Sequence, residues 1–256
     1  MGVKKLSRND LLRIDGKRVP VAIRLNPRAR RLIVKVHPST GEVAVVAPHE
    51  RSISRAIEFL RRERDWIAVR LAQIPERVAL EPGSVVLFKG QEFVIRNAPA
   101  QGRGPVWIDG EAYRPTLRVS GAPEHTPRRV EDWLKKQARS VLQRRVAYFG
   151  AELGVNYGRI SVRDASSRWG SCSTSGNLSF SWRLIMAPPF VLDYVAAHEV
   201  AHLREMNHSP RFWRLVDRLV GESAQAAQEW LRNHGASLHK FSLAKGLGDT
   251  GADGHA

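Results

Sequence analysis

The segment AAHEVAHLREMNHSPRFW, from Ala196 to Trp213, places three histidines and a glutamate within eleven residues of an otherwise apolar stretch. Buried polar side chains without partners cost free energy, so a segment of this kind must fold in a way that satisfies them together. His198 and His202 are four positions apart, which places both imidazoles on one face of an α-helix. The sequence therefore predicts a helix, from about residue 191 to residue 206, whose polar face holds a shared partner.

The partner that this HExxH spacing favours is a metal ion. Glu199 lies beside both imidazoles, where it can reach water at the ion without being forced to coordinate it. Asn207 favours the end of the helix, and Ser209 with Pro210 favours the start of a new one, so the ring of His208 can turn back from the corner. Three protein ligands with one open position are typical of catalytic zinc, whereas structural zinc is normally held by four ligands.

Other donors compete with His208 for the third ligand position. Glu205 lies three residues after His202, and Glu222 and Glu229 fall on a later helix. We favour His208 because imidazole is the commoner zinc donor and because the helix break explains its position. The alternative interpretation of the whole segment is a pair of hydrogen-bonded histidines in an ordinary amphipathic helix.

Short apolar runs separated by glycines characterise residues 1–120. RRLIVKVHP and GEVAVVAP predict a hairpin with its turn at residues 38–41, and one helix is expected after Ser52. SVVLFKG, EFVIRN, PVWIDG and TLRVSG predict further strands. The sequence therefore predicts a β-rich N-terminal module with one helix over residues 1–120.

Helical periodicity begins after a link that contains two prolines. The pattern predicts one long helix from Thr126 to near Gly154, followed by the strands RISVRDA and NLSFSWRLI with the loop SSRWGSCSTSG between them. Together with the histidine-bearing helix, these elements predict an α+β domain over residues 121–240. The Gly/Asp-rich tail over residues 241–256 is expected to be disordered.

Composition limits the classes of function. Cys172 is the only cysteine, which excludes an internal disulfide, a four-cysteine zinc site and an iron–sulfur cluster, and favours a reducing compartment such as the cytoplasm. Its thiol is either an inhibitory zinc ligand or, like most lone buried cysteines, inert. No apolar run approaches the ~18 residues of a membrane span, so we expect no membrane association.

Positive charge is concentrated near the N-terminus. Residues 1–70 carry 17 Lys and Arg against 7 Asp and Glu, a net charge of +10 within a chain of net charge +16. A polyanion would be attracted to this end of the chain first.

Two segments carry a resemblance to a known family. RWGSCSTSGNLSFSWRLIMAPPFVLDYVAAHEVAHLREMNHSPRFW resembles the signature of the YgjP-like metallopeptidases, which are close to the minigluzincins and related to the SprT and WLM zinc proteases. RRLIVKVHPSTGEVAVVAPHERSISRAIEFLRRERDWI is similar to the β-rich leader of that family, so the resemblance spans roughly residues 20–235. It implies a gluzincin-like zincin domain with a backing helix, a small sheet and an HExxH helix. By match, His198, His202 and His208 would bind zinc, and Glu199 would be the catalytic base.

The resemblance implies hydrolysis of a peptide or protein substrate with one zinc ion per chain. Glu199 would accept a proton from water that the zinc ion activates, and would return it to the leaving amine. In such folds the substrate adds as a strand to a sheet edge, and GNLSFSWRL, with Asn177 and Ser179, is the predicted edge. The alternative for this segment is an ordinary core strand.

Arg168 and Trp169 are further candidates for substrate binding. They precede Gly170 in a loop that is expected near the site, where Arg168 would bind a substrate carboxylate or stabilise an oxyanion. The alternative is a loop that a buried tryptophan anchors.

The basic N-terminal module favours a second class of function, in which nucleic acid is a partner. The protein would then be a DNA-directed protease of the SprT or WLM type, or a binder with a structural zinc site. The arginines that would form the binding face are Arg28, Arg30, Arg31, Arg51, Arg55, Arg61, Arg62 and Arg64. The alternative is a solvated surface, because the sequence contains no recognisable nucleic-acid motif and few aromatic residues among these arginines. We therefore expect weak binding that does not depend on nucleic-acid sequence.

Overall fold

The computed structural model describes residues 12–14, 16–37, 41–72, 74, 78–99, 104–110, 115–165 and 168–242. The chain forms two compact units, Met1–Glu76 and Arg77–Ala256, and each unit has its own buried hydrophobic cluster. Helices and several small sheets occur together, which confirms the mixed α+β class. The predicted disordered tail lies, from residue 243 onwards, outside the described residues.

The first unit combines a two-stranded sheet and a three-stranded sheet with two helices. Its elements are β1 (Arg13–Ile14), β2 (Lys17–Arg18), β3 (Val21–Leu25), β4 (Ile33–Val36), β5 (Val43–Ala47), α1 (Ile53–Arg62) and α2 (Arg64–Ala72). The three-stranded sheet has the order β3-β5-β4. In it β4 pairs antiparallel with β5, with Ile33 opposite Val46. This pairing confirms the predicted hairpin, although residues 38–40 of its turn lie outside the described residues.

The single helix predicted after Ser52 is two helices in the structure. Glu63 leaves the helical conformation, with φ −84° and ψ 10°, between α1 and α2. Hydrogen bonding continues across the break, because Glu63 N–H donates to Phe59 and Ile67 N–H donates to Glu63. Leu60 and Ile67 are both fully buried, and they belong to the same hydrophobic cluster as residues of β5. The break therefore bends the chain without exposing its apolar side chains.

The second unit contains the remaining elements. They are β6 (Val78–Ala79), β7 (Val85–Phe88), β8 (Gln91–Ala98), β9 (Val106–Asp109), β10 (Thr116–Ser120), α3 (Thr126–Leu153), β11 (Ile160–Arg163), β12 (Gly170–Cys172), β13 (Leu178–Ser181), α4 (Pro189–Ala201), α5 (Pro210–Val220), α6 (Ser223–His234) and β14 (Phe241–Ser242). Two 3₁₀ helices, Trp182–Met186 and Gly235–Lys240, follow β13 and α6 respectively.

The boundary between the units differs from the predicted one. The sequence predicts a module that ends near residue 120, whereas the structure divides the chain after Glu76. The reason is packing, because the sheet of order β7-β8-β10-β9 contributes buried side chains such as Ile95 and Leu117 to the same cluster as α3 and α4. The four strands therefore belong to the unit that carries the histidines.

The predicted long helix is present as α3, which backs the core of the second unit. Its buried stripe follows helical spacing and consists of Val130, Leu134, Ala138, Leu142, Val146 and Phe149, all fully buried. Gly154 ends the helix in the left-handed conformation, with φ 62°. Within the described part of the chain, no helix is both long and apolar enough to cross a membrane.

A three-stranded sheet of order β11-β13-β12 lies beside α4. Part of the predicted loop SSRWGSCSTSG forms β12, which pairs antiparallel with β13, with Ser171 opposite Ser179. β13 therefore lies in the centre of the sheet, and its Leu178 and Phe180 are buried. The prediction that GNLSFSWRL is an edge strand is wrong, because backbone partners occupy both of its sides. The free edge beside α4 is β12.

Candidate metal centre

The histidine-bearing helix α4 ends earlier than predicted. It stops at Ala201 rather than near residue 206, because Leu203 and Arg204 donate to carbonyls three residues back and tighten the chain. The Arg204 guanidinium then donates to the carbonyl of Leu153 at 3.0 Å, which ties this corner to the end of α3. Lys89 is the only described non-glycine residue with positive φ, so Asn207 does not end the helix in the left-handed conformation that asparagine tolerates at helix ends.

The start of α5 agrees with the sequence prediction. The Ser209 hydroxyl accepts a hydrogen bond from Phe212 N–H at 3.4 Å, and Pro210 occupies the first turn. His208 therefore lies immediately before the cap, where its ring faces α4. The fully buried Phe212 ring packs against all three imidazoles, with centroid distances of 4.8, 4.5 and 4.8 Å to His198, His202 and His208.

The three predicted histidine ligands come together in space. Donor atoms of His198, His202 and His208 all lie within 4.8 Å of one another, and Nε2 of His198 is 3.1 Å from Nε2 of His208. Nitrogen ligands of a tetrahedral zinc ion, bonded at 2.0–2.1 Å, are separated by about 3.3 Å. Among the described residues, the competing donors Glu205, Glu222 and Glu229 form no such cluster.

Hydrogen bonding orients one of these rings for a metal ion. Nδ1 of His202 lies 3.1 Å from the backbone carbonyl oxygen of Glu205, which leaves Nε2 to face the other imidazoles. His198 offers its Nε2 to the same space, and its buried Nδ1 has no hydrogen-bond partner among the described residues. The donor set is therefore suited to a zinc ion.

Burial keeps these imidazoles in the form that binds metal. Burial lowers the pKa of His198 to about 4, and the charges of His202 and His208 act in the same direction. The pKa of His202 is also lowered, chiefly by burial, although its hydrogen bond to Glu205 opposes this. Neutral imidazole is the metal ligand, so burial favours the metal-binding form of His198 and His202.

The Glu199 carboxyl is buried beside the cluster, with 6% of the residue exposed. Burial raises its pKa to about 7, and the positive charge of Arg168 partly opposes this. The carboxyl packs against Gly170 so closely that a methyl group there would lie 2.5 Å from Oε1 of Glu199. A side chain at position 170 would therefore displace the carboxyl.

The other predicted site residues have different surroundings. Arg168 is exposed two residues before β12 and acts electrostatically on Glu199. Trp169 is partly buried, with its ring 5.3 Å from the ring of His239. The Asn177 side chain accepts from Arg159 N–H at 2.8 Å and donates to Ser175 in a turn, and Ser179 lies on the central strand β13. The structure thus brings Arg168 close to Glu199, whereas Asn177 bonds to its own turn and to the backbone of Arg159.

Cys172 lies on β12, two residues after Gly170. Burial and the negative charge of Glu199 both raise the pKa of its thiol, so the unreactive thiol form is favoured. The cluster of metal donors found in the described part of the chain consists of histidines and does not include this sulfur.

Two residues of the site carry no sequence signal that points to it. Gly170 on β12 contacts Glu199 on α4, and Phe212 packs against the three imidazole rings. A glycine after tryptophan and a phenylalanine in an amphipathic helix are both ordinary, so only the folded arrangement reveals these contacts.

A helix with two histidines around a glutamate, completed by a third histidine, is the arrangement of zinc metalloproteases. A family model described as the YgjP-like metallopeptidase domain matches residues 30–234. The chain therefore belongs to the YgjP-like metallopeptidase family, which confirms the resemblance. The family supports a metal-dependent peptidase function, typically with zinc.

Solved structures of two metallopeptidase zymogens are similar to part of the chain. Abylysin of Pyrococcus abyssi is 21% identical over 36% of this chain and 92% of that chain, with a TM-score of 0.34. Jannalysin of Methanocaldococcus jannaschii is 16% identical over 36% of this chain and 94% of that chain, with a TM-score of 0.32. No curated protein matches the chain. These likenesses are too distant to define its fold.

Proposed function

We propose that the protein is a zinc-dependent metallopeptidase that hydrolyses peptide bonds, with Glu199 as general base and then general acid. The observation that carries this proposal is the convergence of three imidazoles from His198, His202 and His208 beside a buried carboxyl. The second unit would then be a gluzincin-like domain, in which α3 is the backing helix and α4 the site helix. The single cysteine supports a reducing, cytoplasmic location.

The three histidines would hold one zinc ion, which supplies a Lewis acid that polarises the scissile carbonyl and activates water. Glu199 would take a proton as the carbonyl is attacked and deliver it to the leaving amine. Gly170 keeps this carboxyl close to β12 because it has no side chain to displace it. Arg168 would stabilise the oxyanion or bind a substrate carboxylate.

The substrate would bind as an extended strand along β12, not along β13. β12 is the outer strand of its sheet, so its free backbone groups are available to a peptide, and it contacts α4. Its residues Gly170 and Cys172 lie on the same face as the Glu199 carboxyl, because side chains alternate along a strand. A peptide added here would pass directly beside the proposed base.

The proposal is tested by metal analysis combined with a peptidase assay on the wild type and Glu199→Gln. We expect about one zinc per chain in both proteins, and a fall in activity of about 10²- to 10⁴-fold in the variant, because only the proton acceptor is lost. Glu205→Gln is the matched control and should retain activity. A preparation that neither contains nor takes up zinc, or a fully active Glu199→Gln variant, would overturn the proposal.

A second candidate function is nucleic-acid binding by the first unit. All eight arginines from Arg28 to Arg64 named above are exposed, which supports attraction of a polyanion. A pocket of about 410 Å³ is lined by Arg31, Phe59 and Trp66, among others, and Trp66 is 42% exposed, as a stacking residue requires. We propose weak, sequence-independent binding here. A purely structural zinc site is disfavoured because Glu199 occupies the position of a catalytic base.

A further inference from the structure

The residues after α6 lie beyond the stretch that the family model matches, yet they are integrated into the second unit. Gly235–Lys240 forms a 3₁₀ helix, and Phe241 then pairs in parallel with Val78 of β6. Gly235, Leu238, His239 and Phe241 are buried. We refer to residues 235–241 as the C-terminal segment.

The C-terminal segment packs against Trp169, the residue immediately before β12. The indole lies 5.3 Å from the His239 ring, with an angle of 34° between the planes. A methyl group at position 235 would lie 3.1 Å from Cζ2 of Trp169, so the indole rests almost directly on the backbone of Gly235. This contact leaves little room for a side chain at position 235, although the backbone angles of Gly235 are helical and suit any residue.

A buried arginine links the same segment to Asp164, the residue that follows β11. Arg183 is 6% exposed, and its Nη1 donates to the carbonyls of Leu238 at 2.9 Å and Phe241 at 2.7 Å. Its Nε and Nη2 donate to the carboxylate of Asp164 at 2.8 and 3.2 Å. Burial raises the pKa of Asp164, but the hydrogen bond and charge of Arg183 bring it below its ordinary value. Asp164 thus stays ionised near neutral pH and, through Arg183, ties the end of β11 to the segment.

Trp169 transmits this anchoring to the candidate active site. Its carbonyl accepts a hydrogen bond from Ser181 N–H at 2.9 Å, next to the β12–β13 ladder. Gly170, the following residue, packs against the Glu199 carboxyl, and Arg168, the preceding one, carries the charge that acts on that carboxyl. Trp169, which the C-terminal segment contacts, is therefore one residue away from both Gly170 and Arg168.

We propose that the C-terminal segment is a clamp that positions residues Arg168–Gly170, at the start of β12, against Glu199, which makes Trp169 a positioning residue of the peptidase. This inference rests on the proposed function for its catalytic consequence, but its structural part does not. Trp169 faces the protein in these contacts, which supports the anchored-loop interpretation over direct substrate binding. An unclamped β12 would sample more conformations, and misplacement of reacting groups by about 1 Å can cost about 10²-fold in rate.

The first test compares Trp169→Ala with the conservative Trp169→Phe. We expect Trp169→Ala to keep one zinc per chain, to speed hydrogen exchange of the backbone amides of β12, and to lower kcat/KM by about 10- to 100-fold. Trp169→Phe keeps a ring on Gly235 and should restore slow exchange and most of the activity. Unchanged exchange and activity in Trp169→Ala would overturn the proposal.

The second test approaches the same contact from the segment. Gly235→Val forces side-chain atoms into the indole, whereas Ala236→Val adds bulk at an exposed neighbouring position. We expect only Gly235→Val to reproduce the effects of Trp169→Ala, and the double variant to be no worse than either single one, because both break one contact. Additive effects would overturn the clamp. This variant also keeps the proposal falsifiable if Trp169→Ala does not fold.

The two proposals fail in different ways. A wild-type protein without peptidase activity would contradict the proposed function, while exchange at β12 in the same variants would still decide whether the clamp exists. A wild-type protein with peptidase activity that survives all of these substitutions would contradict the clamp alone.

Discussion

Glu205 contributes to the candidate metal centre through its backbone rather than through its carboxylate. Its carbonyl oxygen lies 3.1 Å from Nδ1 of His202, and its side chain is not part of the donor cluster. Such a hydrogen bond fixes the orientation of a ligating ring, and a substitution of the side chain leaves it in place. The sequence makes Glu205 a competing ligand because it shows only that a carboxylate is nearby.

Zinc titrations on His208→Ala and Glu205→Ala distinguish these roles. We expect His208→Ala to weaken zinc binding by more than about 100-fold, since one of three ligands is lost. Glu205→Ala should stay within a few-fold of the wild type, because the carbonyl that holds His202 remains. Competition with a chelator of known affinity measures both. The reverse order would mean that Glu205, and not His208, is the third ligand.

β12 is a short strand, and its first residue constrains the position of the Glu199 carboxyl. Its first residue, Gly170, lies where any side chain would meet the Glu199 carboxyl, because a methyl group added there would lie 2.5, 2.6 and 2.8 Å from Oε1, Cγ and Cδ. The Glu199 side chain is buried, so it has little space in which to move away. The strand and the helix are therefore matched to each other at this one contact.

Gly170→Ala tests that match. We expect the variant to fold and to bind zinc as the wild type does, but to lose about 10- to 100-fold in kcat, because the methyl group displaces the carboxyl from its position. Ser171→Ala is the control, since its side chain points to the opposite face of the same strand. Steady-state kinetics and zinc content measure the outcome. Wild-type kinetics in Gly170→Ala would show that the position of Glu199 tolerates displacement.

Local patterns predicted the long helix α3 and the shared face of the histidines, whereas the role of those histidines as ligands stays a prediction. The apolar stripe and terminal glycine give α3, and the spacing of His198, Glu199 and His202 gives their shared face, because both depend on residues close together in the sequence. The corner at Ser209 and Pro210 likewise predicts the place of His208 from local capping preferences.

Features that depend on long-range packing were not predictable in this way. GSC lacks the β-branched and aromatic residues of a typical strand, and it forms β12 because β13 pairs with it. The boundary after Glu76 depends on the packing of distant strands against α3, which no local pattern records. The contacts of Gly170 and Phe212 with the site have the same origin.

Charge is distributed unevenly along the whole molecule. Residues 1–70 account for +10 of the net charge of +16, although they are little more than a quarter of the chain. Of the eight arginines of the candidate binding face from Arg28 to Arg64, only Arg62 forms a salt bridge within the described residues, with its neighbour Glu63. Most of this charge is therefore available to an external polyanion.

Reversal of Arg28, Arg30 and Arg31 to glutamate tests whether this charge binds nucleic acid. We expect weak binding of single-stranded DNA by the wild type, falling steeply between about 50 and about 200 mM salt, and a salt slope reduced by up to about 3 in the variant. Fluorescence anisotropy measures both. Reversal of Lys136, Arg139 and Arg144 in the second unit gives the matched change in net charge.

The same variants decide whether binding is coupled to proteolysis. We expect DNA to leave peptidase activity almost unchanged in all of them, because the described contacts of the metal centre lie within the second unit. Strong stimulation by DNA that only the first-unit reversals abolish would make the protein a DNA-directed protease.

The pairing of Phe241 with Val78 affects when the site is completed during protein synthesis. The two residues are 163 positions apart, and they join the first strand of the second unit to its last described one. A ribosome synthesises the three histidines and Glu199 before it synthesises residues 235–241. A growing chain would therefore contain every reactive group of the site before the C-terminal segment can pack against Trp169 and position β12. Full cleavage activity would then appear only after these later residues have been made and docked.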